Sequence, residues 1–163
     1  MMRQVQVIRR VEPEHYDLPV GLQKITRRVL ANRGMLSEAD LDFSLAGLLT
    51  TEQFTGIFDA ADVIVSIANI GGNILVVGDF DTDGATSTAL ALKSLSAMGI
   101  ENTDFLVPNR FEFGYGLSPG LVEVAHRDKN PDLIITVDNG ISSIEGVGRA
   151  KELGIKVVVT DHH

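Results

Sequence analysis

The sequence predicts an α/β fold in which a parallel β-sheet is flanked by helices and preceded by a helical N-terminal segment. From residue 73 onward, short apolar runs alternate with helical patterns, which is typical of βαβ units and a parallel sheet. Before residue 73, several segments carry apolar residues at helical spacing. The 163 residues, 44% hydrophobic and 22% charged, have the composition of a globular protein.

Residues 1–72 form the predicted helical lead-in. A first helix lies between Pro19 and Gly34, and a second, short helix starts with Ser37 as its N-cap. A third helix is expected over residues 52–70, where two glycines end it. The basic residues of this segment are interpreted as a solvated helix surface.

Residues 73–163 form the predicted sheet domain. Its apolar runs predict strands at 74–77, 104–107, 133–137 and 156–160. The segments between these runs predict helices at 85–98, 118–127 and 142–153. Parallel strands place their carboxyl ends at one edge of the sheet, which is where open α/β sheets bind their ligands. Polar residues that follow these strands are therefore the candidates for a functional site.

Charge and composition exclude several classes of protein. The net charge of −8 combines +4 over residues 1–33 with −12 over the remainder. Because nucleic-acid binders usually carry a basic footprint, the acidic part argues against nucleic-acid binding by this piece alone. The absence of cysteine excludes disulfides and thiolate metal sites. No apolar stretch approaches the roughly 20 residues of a membrane span and no secretory signal is visible, so we expect a cytoplasmic protein.

Three aspartates follow the first predicted strand. Asp79, Asp81 and Asp83 alternate along the chain, and Gly84 opens the next helix. If the extended backbone continues through them, their carboxylates project to one side. Two carboxylates about 4 Å apart repel by about 4 kcal/mol at an effective dielectric constant of about 20, and a bound divalent cation removes that repulsion. The pattern therefore predicts a metal site.

Three other interpretations fit this segment less well. A calcium-binding EF-hand loop needs Glu at its twelfth position, which is Leu90 here, and needs a preceding helix instead of a strand. A phosphatase of the haloacid dehalogenase type also places Asp-x-Asp after its first strand, but Asp83 stands where its Thr is expected. A simple capped turn does not require three aspartates without a basic partner.

Two further strand ends carry candidate ligands. Asp138 follows the third predicted strand and begins an Asp-Asn-Gly turn into the next helix. Asp161, His162 and His163 follow the fourth strand, and two adjacent histidines point to opposite sides, so at least one faces the site. Imidazole mixed with carboxylates favours Mn²⁺, Zn²⁺ or Fe²⁺ over Mg²⁺. The three strand ends together predict one metal centre.

The loop at residues 108–118 follows the second predicted strand at the same edge. Arg110 is the basic residue predicted to lie nearest the site, and a guanidinium group is suited to bidentate phosphate binding. Phe111, Phe113 and Tyr115 can stack on nucleobases. For Phe111 and Tyr115, packing within the loop is an equally acceptable interpretation.

Three motifs in this chain resemble those of the DHH phosphoesterase superfamily. They are Val-Gly-Asp-Phe-Asp-Thr-Asp-Gly at 77–84, Val-Asp-Asn-Gly-Ile-Ser at 137–142 and Thr-Asp-His-His at 160–163. The loop at 108–118 and the helical lead-in resemble, within that superfamily, a bacterial exonuclease specific for single-stranded DNA. The resemblance covers essentially the whole chain. It implies that residues 73–163 are the N-terminal part of a DHH domain, truncated after the DHH motif.

The resemblance implies a site that hydrolyses phosphodiesters with two divalent cations, Mn²⁺ or Mg²⁺. The metal ligands that it implies are Asp81, Asp83, Asp138 and His162. The catalytic residues are Asp79, as a nearby carboxylate, and His163, as a contact to the scissile phosphate. The residues expected to bind nucleic acid or its phosphates are Arg110, Phe111 and Tyr115.

The resemblance also implies parts that these residues do not contain. The superfamily has a further motif with another metal-binding aspartate and a C-terminal domain that closes over the substrate, and the exonucleases add an OB-fold. We therefore expect the chain to be a fragment that is inactive in isolation, and we expect its last strand to fray.

The expected function is metal-dependent 5′→3′ hydrolysis of single-stranded DNA in DNA repair and recombination. The direction of cleavage comes only from the resemblance, which also implies a helicase and a single-strand-binding protein as partners. Two alternatives remain open. One is another DHH phosphoesterase that acts on short oligonucleotides or cyclic dinucleotides, and the other is a non-catalytic metal-binding fragment.

Overall fold

The structure is a computed structural model, and it describes residue 13 and residues 15–163. The chain divides into two compact units, Met1–Phe54 and Thr55–His163. Three of the basic residues that give the N-terminal segment its predicted positive charge lie outside the described residues: Arg3, Arg9 and Arg10. Within the described residues, no helix combines the length and the apolar character needed to cross a membrane.

The described residues of the first unit form one α-helix and three short 3₁₀ turns. Helix α1 is Lys24–Ala31, and the 3₁₀ turns are Glu38–Leu41, Leu45–Gly47 and Thr51–Gln53. The predicted N-cap at Ser37 is confirmed, since its backbone N–H donates to the Asp40 carboxylate at 2.8 Å in a capping box.

The second unit is a four-stranded parallel sheet with helices on both faces, which confirms the predicted α/β fold. Its strands are β1 (Ile74–Gly78), β2 (Thr103–Leu106), β3 (Leu133–Val137) and β4 (Lys156–Thr160). Its helices are α2 (Ile57–Asn69), α3 (Thr82–Ala97), α4 (Arg110–Phe113), α5 (Pro119–Lys129) and α6 (Ile144–Glu152). All three strand pairs are parallel.

The strand order β2-β1-β3-β4 places the two central strands at a topological switch point. The chain moves from β1 outward to β2 on one side, then returns past β1 to β3 and moves outward to β4 on the other. In such sheets a crevice opens beyond the carboxyl ends of the strands where the order reverses. Here that crevice lies between the ends of β1 and β3.

The core consists of two apolar layers, one on each face of the sheet. Leu75 and Val77 of β1 pack with α5 and α6 on one face, whereas Ile74 and Val76 pack with α2 and α3 on the other. Every residue of β1 and of β3 is buried, while the edge strands β2 and β4 are partly exposed. Continuous apolar runs are expected for strands that are covered on both faces.

Several predicted helix boundaries are wrong by a few residues. Helix α3 begins at Thr82 and not at residue 85, because the Asp81 side chain caps it. Helix α2 begins at Ile57 and not at residue 52. Helix α2 packs on the sheet, as part of the unit that starts at Thr55. The domain boundary drawn between residues 72 and 73 stays a prediction.

Candidate metal centre

Asp79 and Asp138 occupy the two sides of the switch-point crevice. Asp79 directly follows β1 and is 6% exposed, and Asp138 directly follows β3 and is 8% exposed. One carboxylate oxygen of Asp79, Oδ1, accepts the backbone N–H of Phe80 at 2.8 Å. Burial of two neighbouring carboxylates is unfavourable unless positive charge offsets them, which makes this pair a candidate cation site.

Asp81 approaches the same crevice from the start of α3. Its Oδ1 accepts the backbone N–H of Gly84 at 3.0 Å, so it serves as the N-cap of the helix. This backbone hydrogen bond is the main cause of a pKa for Asp81 below the usual value for aspartate. The carboxylate is thus held ionised and fixed in orientation, as a metal ligand requires.

Gly84 allows the first turn of α3 to approach the end of β1. A Cβ atom at this position would overlap the backbone carbonyl, carbonyl carbon and amide nitrogen of Asp79. No residue other than glycine fits that gap without moving main-chain atoms. The glycine therefore sets the separation between Asp79 and Asp81.

Asp138 adopts a left-handed backbone conformation, with φ of 62°. Its backbone N–H donates to the carbonyl of Thr160 at 3.0 Å, which ties the turn after β3 to the end of β4. Its Oδ1 lies 2.8 Å from Nε2 of His162. Left-handed conformations of non-glycine residues concentrate at functional sites, and aspartate is one of the few residues that adopt them readily.

Asn139 is a structural residue of the site whose contacts the sequence did not reveal. It is 2% exposed, and its Nδ2 donates to the carbonyls of Val77 and Val137 at 3.1 and 2.9 Å. One side chain thus joins the carboxyl ends of β1 and β3. This bridge fixes the width of the crevice between Asp79 and Asp138.

Asp161 organises the last turn of the described chain, a role that the sequence did not assign to it. Its side chain is 1% exposed, and its Oδ2 accepts the N–H of Ile141 at 2.9 Å. Its Oδ1 accepts the N–H groups of His162 and His163 at 2.7 and 3.1 Å. Burial acts to raise the pKa of Asp161, but the hydrogen bonds from Ile141 and His163 outweigh it and the pKa is lowered.

His163 is held by two partners at the same ring nitrogen. Its Nδ1 lies 2.7 Å from Oδ1 of Asp161 and 2.9 Å from the hydroxyl of Tyr115. The bond to Asp161 is the largest cause of a raised pKa for His163. Because Nδ1 is engaged, Nε2 is the ring nitrogen that remains to contact another group.

Tyr115 reaches into the site through its hydroxyl group. Besides its contact with His163, the hydroxyl donates to the backbone carbonyl of Asp138 at 3.3 Å. Burial, followed by the nearby charge of Asp161, raises the pKa of Tyr115. The ring is still 43% exposed, so the side chain both packs inward and presents an aromatic surface.

The ligand atoms of the described residues converge in two triads that share Asp138. One triad is Asp79, Asp81 and Asp138, and the other is Asp138, His162 and His163. Within each triad the ligand atoms lie within 4.8 Å of one another. The structure thus brings together five of the six predicted metal and catalytic residues.

Asp83, the sixth of these residues, belongs to neither triad. The expectation that an extended backbone continues through the three aspartates is wrong, because α3 begins at Thr82 and turns Asp83 onto its first helical turn. Asp83 instead lines an open cleft of about 410 Å³. The other residues of that cleft are Thr86, Ser87, Asp138, Thr160, Asp161 and His162.

The predicted nucleic-acid contacts lie on the loop and short helix that follow β2. Arg110 begins α4, and its guanidinium carbon lies 4.6 Å from the centroid of the Phe80 ring. Phe111 is fully exposed. Asn109 caps this helix by accepting the N–H of Phe111 at 3.1 Å, a structure too short for the sequence pattern to predict.

Comparison with known proteins gives consistent matches in sequence. The family profile described as "DHH family, N-terminal domain" matches residues 73–163. "Single-stranded-DNA-specific exonuclease RecJ" of Escherichia coli (strain K12) is 49% identical over 163 residues, which cover 100% of this chain and 28% of that protein. The protein of the same name from Bacillus subtilis (strain 168) is 38% identical over 111 residues, which cover 68% of this chain and 14% of that protein.

Two solved structures are similar to this chain. "Crystal structure of exonuclease RecJ bound to manganese" has a TM-score of 0.63 at 34% identity and covers 71% of this chain and 29% of that one. The crystal structure of RecJ from Thermus thermophilus in complex with Mn²⁺ has a TM-score of 0.58 at 32% identity and covers 82% of this chain and 18% of that one. The chain therefore spans less than a third of the proteins that it matches.

Proposed function

This chain belongs to the DHH family, and from that premise we propose that it provides the metal-binding edge of a 5′→3′ exonuclease for single-stranded DNA. The family that its motifs resemble is thereby confirmed. The observation that carries the proposal is the pair of triads at the switch point, built from two buried strand-end carboxylates and joined through Asp138. The similarity to RecJ along the whole chain supports the choice of substrate.

The residues present fit divalent cations. Three carboxylates and two imidazoles form a mixed oxygen and nitrogen donor set, which suits Mn²⁺ and, for the carboxylates, also Mg²⁺. The similar RecJ structures bind manganese, which supports the same assignment here. Bound cations would be held by Asp81, Asp138 and His162, with Asp83 contributing from the adjoining cleft, whereas Asp79 and His163, the remaining members of the two triads, would act on the water and the phosphate.

Each side chain has a definite task in this proposal. When bound, the cations supply the Lewis acidity that phosphodiester hydrolysis needs. Oδ1 of Asp79 is occupied by Phe80, which leaves Oδ2 to accept a proton from the attacking water. Nε2 of His163 contacts the scissile phosphate, since Nδ1 is held by Asp161. His162 is oriented by Asp138 through Nε2.

The substrate strand lies along the exposed loop after β2. Arg110 binds a DNA phosphate, for which a guanidinium group offers paired N–H donors. The fully exposed Phe111 and the half-exposed ring of Tyr115 stack on bases. A role in DNA repair and recombination, and a helicase and a single-strand-binding protein as partners, are proposed from the resemblance. A cytoplasmic location is proposed from the sequence.

A chimera tests this function. The chain replaces the matching 163 residues of the E. coli RecJ protein, with which it is 49% identical, and the chimera is incubated with single-stranded DNA in Mn²⁺. We expect nucleotides to be released from the 5′ end, measured with strands labelled at either end. Release from the 3′ end, or cleavage confined to very short strands or cyclic dinucleotides, would contradict the proposal.

The controls separate catalysis from mere assembly of the chimera. The same chimera carrying Asp138→Asn should fold and release no nucleotides. The 163-residue chain alone should also release none, because the proposed enzyme needs parts beyond these residues. Equal activity of the Asp138→Asn chimera would show that the two triads are not the catalytic centre.

A further inference from the structure

Phe80 occupies an unusual position between two metal-site aspartates. It lies between Asp79 and Asp81, yet its ring is 43% exposed and belongs to neither apolar layer of the core. Its backbone is fixed on one side by its hydrogen bond to Asp79 and on the other by the cap that Asp81 forms on α3. An exposed aromatic ring at such a fixed position is not explained by core packing.

The ring of Phe80 lies against the guanidinium of Arg110. The guanidinium carbon is 4.6 Å from the ring centroid, within the range of a cation–π contact. Among the described residues, Arg110 forms no salt bridge, although the acidic residues of the metal centre lie at the same edge of the sheet. The cation is thus held by an apolar face and not by a carboxylate.

This arrangement leaves the hydrogen-bonding groups of Arg110 available. The described residues show no hydrogen bond from the Arg110 side chain and no salt bridge, so the contact with Phe80 is the interaction that holds the guanidinium. A salt bridge to Asp79 or Asp81 would occupy the N–H donors of Arg110 and cover a metal-site carboxylate. The contact with Phe80 involves no carboxylate, so the donors of Arg110 are not paired with Asp79 or Asp81.

We propose that Phe80 is a positioning residue that holds Arg110 in place to bind a phosphate of single-stranded DNA beside the metal centre. The inference rests on the proposed function, in which Arg110 binds a DNA phosphate. Phe80 acts through Arg110 and does not itself contact the reacting atoms. Its aromatic face is the required property, so tyrosine can replace it and leucine cannot.

Binding of an oligonucleotide to the chimera, which supplies the parts of the enzyme beyond these residues, tests this role. The probe is a fluorescein-labelled, phosphorothioate-linked oligothymidylate in Mn²⁺, and its fluorescence anisotropy gives the Kd, with a gel to show that the probe stays intact. Phe80→Leu should raise the Kd about 2- to 5-fold, the factor that corresponds to an exposed cation–π contact. Phe80→Tyr should restore most of the affinity. Arg110→Ala should raise the Kd about tenfold, as for loss of a hydrogen-bonded charge.

A double-mutant cycle separates positioning from a general effect on the loop. In the Arg110→Ala background, Phe80→Leu should have no further effect, because the group that it positions is gone. Phe58→Leu removes another exposed ring, on α2, and should leave the Kd unchanged. Additive effects of Phe80→Leu and Arg110→Ala, or no measurable binding by the chimera without these substitutions, would overturn the inference.

The result of the oligonucleotide-binding experiment can be interpreted separately from the result of the nucleotide-release experiment. Coupled effects of the two substitutions on binding, together with an inactive chimera, would reject the proposed activity and retain the role of Phe80. An active chimera with additive effects on binding would retain the activity and reject the role of Phe80.

Discussion

Asp161 illustrates how one buried carboxylate orients its neighbours. Its two oxygens accept hydrogen bonds from three backbone N–H groups, and one of them also contacts a ring nitrogen of His163. These contacts fix the turn that carries both histidines. Asp161 is not itself a member of either triad. Its role is therefore to position the two imidazoles.

The lowered pKa of Asp161 gives a pH-dependent prediction for stability. Its carboxylate stabilises the fold when ionised, so this contribution is complete above its ordinary pKa of about 3.9 and is lost as the pH falls through the folded-state pKa. We expect Asp161→Asn to lower the free energy of unfolding by about 1–3 kcal/mol at neutral pH. Urea unfolding in EDTA across the acidic range should show that this difference shrinks below about pH 4. A difference that stays constant with pH would contradict the account.

Asp81 has two separable functions, since it caps α3 and belongs to a triad. Asparagine caps helices as well as aspartate does, but it has no charge. We expect Asp81→Asn to leave thermal stability in EDTA unchanged and to weaken Mn²⁺ binding by more than about tenfold. Calorimetric titration with Mn²⁺ measures the second effect. Unchanged Mn²⁺ affinity in the folded variant would remove Asp81 from the ligand set.

At the scale of elements, the contact between β1 and α3 determines the geometry of the first triad. Gly84 lets the helix approach Asp79, and Asn139 joins β1 to β3. These contacts involve the main chain, so the positions of the three aspartates are fixed by the strands and the helix to which they are attached. Rigid support is what a preorganised metal site needs.

Gly84→Ala tests that contact. The added methyl group would overlap the backbone of Asp79, so we expect a loss of about 1–3 kcal/mol in the free energy of unfolding. Gly148→Ala is the matched control, because it lies within α6 and a Cβ there meets nothing within 4 Å. That substitution should stabilise the chain by about 0.5–1 kcal/mol. Equal effects of the two substitutions in urea unfolding would show that the approach of α3 to β1 is not tight.

The bounds of an element are predicted well from the sequence where neighbouring residues determine them. The bounds of β3 and β4 agree with the structure, because their apolar runs are continuous and end at polar residues. The predicted start of α3 is three residues too late, because Asp81, a candidate ligand, also caps the helix. Helix α4 has four residues, too few to show a periodicity.

At the scale of the whole molecule, the site depends on contacts between residues distant in sequence. The strand order that places Asp79 beside Asp138 is not encoded in any local pattern, and neither is the bond from Asn139 to Val77. The contact between the hydroxyl of Tyr115 and His163 also joins residues that are distant in sequence. The sequence motifs could therefore indicate candidate ligands, but not the residues that hold them in position.

In the proposed metal centre, the switch point between β1 and β3 binds divalent cations through Asp138. The most direct test is electron paramagnetic resonance of Mn²⁺, whose free-ion signal falls as the ion binds the chain. Asp138→Asn keeps a residue that tolerates the left-handed backbone, and Asp128→Asn makes the same change at an exposed ion pair on α5.

We expect the wild-type chain and Asp128→Asn to take up Mn²⁺ equally, and Asp138→Asn to bind it at least about tenfold more weakly. Circular dichroism would establish that all three proteins are folded. Unchanged Mn²⁺ affinity in a folded Asp138→Asn chain would contradict the account.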